Sequence, residues 1–107
     1  MNTDNVAKGD SSPVYRLGHL DADGNQLNVS AGYVCKMAVE GTAIARTITD
    51  LSDDDFFFLV SLTAAETATL NEDRCYIIGM QLENPSYLPA LVQEQRARIF
   101  VKSNIVS

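Results

Sequence analysis

The chain has 107 residues, 46% hydrophobic and 21% charged, with eight Lys or Arg, fourteen Asp or Glu and a formal net charge of −6. This length fits one domain with its own core, and the composition argues against disorder. The acidic balance argues against nucleic-acid and membrane partners, since binding phosphate needs clustered Lys and Arg, and no apolar run is long enough for a spanning helix.

The opening stretch MNTDNVAKGDSS lacks the basic start and apolar run of a signal peptide. Its polar, Gly- and Ser-containing character predicts a flexible N-terminal arm over 1–12, with the domain over 13–107 and synthesis in the cytosol. VYRLGHL (14–20) and QLNV (26–29) are predicted strands around Asp21-Ala22-Asp23-Gly24, where the glycine supplies the positive φ of a tight turn. YVCKMAVE (33–40) alternates Tyr33, Cys35, Met37 and Val39 against a mixed face. AIARTIT (43–49) is β-branched, and Glu40-Gly41-Thr42 is the hairpin turn between the two.

Three more strands are predicted downstream: FFFLVSL (56–62), CYIIGMQLE (75–83) and ALVQEQRARIFVKS (90–103), the last bent near Gln95. Between the first two, Thr63 and Glu66 of TAAETATL form a capping box ahead of one or two helical turns. NPSYLPA (84–90) is a loop fixed by Pro85 and Pro89. The fold class expected is all-β, an immunoglobulin-like β-sandwich of seven or eight antiparallel strands with one short helical turn near 63–70.

The stretch SDDDFFFLVSL (52–62) looks most like chemistry. Consecutive aspartates in an extended chain point to alternating sides, so Asp53, Asp54 and Asp55 read as a solvated turn. They also guard an apolar, β-prone run against aggregation. Period 2 sends Phe56, Phe58, Val60 and Leu62 to one face and Phe57 and Leu59 to the other. The latter pair either packs under a loop, the short helix or an arginine stem, or forms a contact surface. Tyr87 and Leu88, between two prolines, are a second candidate contact.

Other site readings fail on residue type. A calcium loop placing Gly24 at position six would need carboxylates where His19 and Ser30 stand. Two cysteines and the single His19 do not make a zinc set. Cys35 lies on an apolar face and Cys75 opposite in parity to its strand's apolar face, which predicts two free thiols. Asn28-Val29-Ser30 fits a glycosylation triplet in a chain without a secretion signal. No nucleophile elbow, dinucleotide fingerprint or phosphate loop is present. No catalytic, cofactor or metal residue is assigned, and the chain reads as a non-enzyme.

From Tyr15 to Val106 the order of features resembles the small immunoglobulin-like domains of tailed-phage structural proteins, in particular the N-terminal domain family of upper baseplate proteins. The resembling run comprises the DADG-xx-L hairpin (21–27), the YVCKMAV strand and FFFLVSLTAAETATLNEDRCYIIGMQL. Leu62, Thr63, Glu66, Thr67 and Leu70 match the family's segment between strands, and Tyr76 its strand tyrosine. The resemblance implies a non-catalytic assembly role in a phage or prophage tail, baseplate or connector. Its partners would be other virion proteins or further copies of the chain, in the virion or in host cytoplasm during assembly. The rival reading is a carbohydrate-binding sandwich. Such sites present flat aromatics, and this chain offers no Trp and only Tyr15, Tyr33, Tyr76 and Tyr87.

Overall fold

A computed structural model describes residues 2–103. Seven strands and one short helix occur among them: β1 (Thr3–Ala7), β2 (Tyr15–Leu17), β3 (Val34–Val39), β4 (Ala45–Ile48), β5 (Phe58–Val60), α1 (Ala64–Ala68), β6 (Arg74–Glu83) and β7 (Leu91–Lys102). The fold is all-β. Five strands form one sheet in the order β1-β7-β6-β3-β4, and β2 and β5 pair as a second, small sheet. The molecule is elongated, 50 × 26 × 23 Å, because β6 and β7 are ten and twelve residues long.

Alternation builds the core. Cys35, Met37 and Val39 of β3 point inward, as do Tyr76, Ile78, Met80 and Leu82 of β6 and Ala97, Ile99 and Val101 of β7. Against them pack Leu17, Phe58, Val60 and Leu62 from the small sheet and its continuation. At roughly 25 cal/mol per Å² of apolar surface removed from water, these side chains are the main stabilising term. The turn after β3 has Gly41 at φ 76°, and the turn before Asn25 has Gly24 at φ 85°, both as the glycines require. The capping box is complete: the Thr63 hydroxyl accepts from Glu66 N, and the Glu66 carboxylate accepts from Thr63 N.

Four expectations are corrected. Residues 3–7 are not a free arm: they form β1, which pairs with β7 from Thr3↔Arg98 to Ala7↔Lys102. Val6 is the reason, an apolar side chain buried in the core at 3% exposure. Behind it, buried Thr67 accepts from Gly9 N and donates to the Asp10 carbonyl, and Ser12 N donates to the Leu62 carbonyl. Second, the β1–β7 pairing is parallel, so the five-stranded sheet is mixed and not purely antiparallel.

Third, QLNV is not a strand. Its backbone bonds go singly to different partners, Leu27 N to the His19 carbonyl and Val29 N to that of Asp55, and only one bridge, Leu20↔Gln26, forms. Fourth, β7 keeps its register through Gln95, which faces Met80. The irregularity lies nearer the turn, where Leu82 faces Gln93 and Glu83 faces Leu91, leaving Val92 as the extra residue of a bulge. The end of the expected domain, 104–107, lies outside the described residues.

Candidate functional site

The acidic turn is built from its own side chains. Asp54 Oδ1 accepts from the Ser52 hydroxyl at 2.6 Å and from Phe56 N at 3.1 Å. These bonds, the Ser52 hydroxyl first, hold its carboxyl below the usual carboxylate range. Asp55 adopts φ 60°, a conformation that Asp tolerates better than most side chains. Among the described residues no group of three His, Cys, Asp or Glu is placed to hold a metal ion.

Behind the turn the three phenylalanines separate. Phe58 is buried, while Phe56, Phe57 and Leu59 are only partly so. The Phe57 ring lies beneath the Arg16 guanidinium, 5.8 Å from its centroid, and against Gly18. A Cβ on Gly18 would stand 2.7 Å from the Phe56 carbonyl oxygen and 2.8 Å from the Phe57 ring, so only glycine fits. Phe57 is thus partly covered from its own chain.

The tip of the β6–β7 hairpin differs. Tyr87 is 43% exposed and Leu88 fully exposed, next to a cis Leu88–Pro89 bond. Leu91, at the start of β7, is also exposed, and so is Leu20, next in sequence to His19. Buried Asn84 shapes the loop: its N donates to the Ala90 carbonyl, its carbonyl accepts from Tyr87 N, and its Oδ1 accepts from Ser86 N. The loop is held by its backbone, and its largest side chains are left to solvent.

Beside the tip, His19, Tyr33 and Tyr87 form an aromatic cluster. The His19 ring meets both tyrosines edge-on, at 5.8 and 5.4 Å between centroids. His19 Nδ1 lies 2.9 Å from the Tyr33 hydroxyl, which is 3.4 Å from that of Tyr87. Partial burial, and then the Tyr87 hydroxyl, push the Tyr33 phenol above its ordinary value. In the sequence His19 has no visible partner, because the rings it meets stand 14 and 68 positions away and no local pattern encodes that meeting.

Of the other tyrosines, Tyr76 is buried and Tyr15 partly so. The Tyr15 hydroxyl donates to Asp4 at 2.7 Å; burial first, and then the Asp4 carboxylate, raise its pKa. Cys35 is buried and its thiol pushed up to about 11 by that burial, while Cys75 is exposed; both are free.

A groove of about 520 Å³ crosses the outer face of the large sheet, floored by Ala38, Ala45 and Gly79. The charges along it answer one another, Lys36 with Glu83 at 3.3 Å and Arg96 with Glu40 at 4.0 Å. It reads as a solvated sheet face.

No protein-family model, curated protein or solved structure matches this chain.

Proposed function

We propose that the protein is a non-catalytic structural and assembly component of a bacteriophage or prophage virion, in the tail, baseplate or connector. It works through protein–protein contacts made by the β6–β7 tip, and its large and small sheets are the two layers of an immunoglobulin-like sandwich. Its partners are other virion proteins or further copies of itself, and it resides in the virion, or in host cytoplasm during assembly. The observation that carries the contact reading is the gathering of Tyr87, Leu88, Leu91 and Leu20, four of the five exposed large hydrophobics among the described residues, toward the hairpin-tip end. Of the four, Tyr87 is of a residue type that often anchors a protein interface once a partner buries it.

The test is incorporation. The chain should be found by mass spectrometry in tail particles or virions purified from the source organism, and should be lost when Tyr87 and Leu88 are both replaced by Ser. Particles that take up the double variant as well as wild type would overturn the reading. A second reading, a carbohydrate-binding module, is favoured by the His19–Tyr33–Tyr87 cluster, whose rings share one exposed end of the molecule.

A further inference from the structure

Beyond its groove, the outer face of the large sheet carries an apolar strip edged with positive charge. Cys75 faces Phe100 and Ile77 faces Arg98 across the β6–β7 ladder. Strand parity turns all four away from the core side chains Tyr76, Ile78, Ile99 and Val101. Cys75 and the neighbouring Lys102 are exposed, while Ile77, Arg98 and Phe100 are half-buried. Lys36, Arg46 and Arg96 each have a carboxylate partner; Arg98 and Lys102 form no ion pair among the described residues.

The hairpin-tip end has the opposite sign. The turns carrying Asp21, Asp23, Asp53, Asp54 and Asp55 lie at that end: His19, just ahead of the first turn, meets Tyr87, and Phe57, just after the second, lies against Gly18. The hydrogen bonds that Asp21 and Asp54 accept come from backbone N–H groups and a hydroxyl, neutral donors that leave the negative charge in place. Exposed Tyr87, Leu88 and Leu91 thus project from an acidic end.

The two surfaces complement each other twice over, apolar against apolar and acid against base. They also lie apart on one molecule. From Leu91 to Phe100, β7 runs roughly 30 Å at about 3.3 Å per residue, so the strip is out of reach of its own chain's tip. A contact between two copies leaves one tip and one strip free for the next.

We infer that copies of the chain join head to tail, the β6–β7 tip of one seated on the Phe100–Ile77 strip of the next, with Arg98 and Lys102 facing the incoming aspartates. Such a heterologous contact either closes into a ring or runs on as a filament. The inference rests on the reading of the tip as a contact surface and names its partner as a second copy.

The experiment is sedimentation of the purified whole chain. At ~200 μM chain the wild type should sediment as oligomers with a Kd of order 10–100 μM. A tip variant, Tyr87→Ser with Leu88→Ser, and a strip variant, Arg98→Glu with Lys102→Glu, should each associate about tenfold or more weakly, with melting temperatures near that of wild type. Mixed in equal amounts, they should form a 1:1 dimer and nothing larger, because the mixture holds one intact tip and one intact strip per pair. On the unaltered chain, raising salt from ~50 to ~500 mM should weaken association several-fold by screening the charges.

A wild type that stays monomeric, a mixture that forms no dimer, or association indifferent to salt would each overturn the inference. If tail particles exclude the tip variant while the purified chain stays monomeric, the tip seats on a different virion protein: head-to-tail joining falls and the assembly reading stands.

Discussion

The acidic turn at 52–55 and the hairpin tip at 84–90 are both short connections carrying conspicuous residues, and they use them in opposite ways. In the acidic turn the side chains serve the backbone: Asp54 ties Ser52 to Phe56, and Asp55 takes the left-handed conformation. In the tip the buried Asn84 does that work alone, which leaves Tyr87 and Leu88 facing solvent. Charge and clustering drew attention to the first loop, yet its groups are occupied with one another. A surface available for contact is better recognised by side chains that their own loop does not use.

The largest effect separating the two regions should come just behind the acidic turn. Phe58→Ala deletes a core ring and is expected to cost roughly 3–5 kcal/mol of stability, measured by denaturant unfolding. A loss like that of a surface residue would mean that the turn does not lead into the core.

Next comes the N-terminal strand, which supports neither loop directly. Removing residues 2–8 strips one buried valine and the β7 edge pairing, and should cost about 2–3 kcal/mol. An unchanged melting temperature would show that β1 adds nothing to the domain.

Acid sharpens the comparison further. The folded-state pKa of Asp54 lies below its ordinary value of 3.8, so its contribution is fully present above that value and is lost as pH falls through the folded pKa. An Asp54→Asn variant should be less stable than wild type near neutrality and should converge on it in strong acid. A difference that persists unchanged to low pH would remove the carboxylate from the account.

The smallest effect belongs to the tip. Leu88→Ser should alter stability by no more than about 0.5 kcal/mol, and a larger loss in thermal melts would show that the tip is part of the folded core.

Most of the sheet was legible because period 2 is strong in β3, β6 and β7, and because Gly24, Gly41 and the Thr63–Glu66 pair have local meanings. Val6 was hidden by its surroundings: a single apolar residue in a polar stretch shows no period, yet it is all that β1 places in the core. QLNV misled for the converse reason, since its alternation is real while its hydrogen bonds scatter. Of the contact candidates, Tyr87 and Leu88 could be marked from the prolines beside them. The cover that Arg16 and Gly18 give Phe57 could not, because it joins residues some forty positions apart.

The pairing of Thr3 with Arg98 has a consequence for how the protein is made. Among the described strands the first made is the one whose partner is made last, so β1 must wait, unpaired, while some ninety further residues are synthesised. Such distant pairings are slow to close. A nascent chain stalled before residue 91 should therefore leave residues 3–7 open to protease, and a chain stalled far enough beyond residue 102 for β7 to clear the exit tunnel should protect them. Final closure of the large sheet thereby waits for β7.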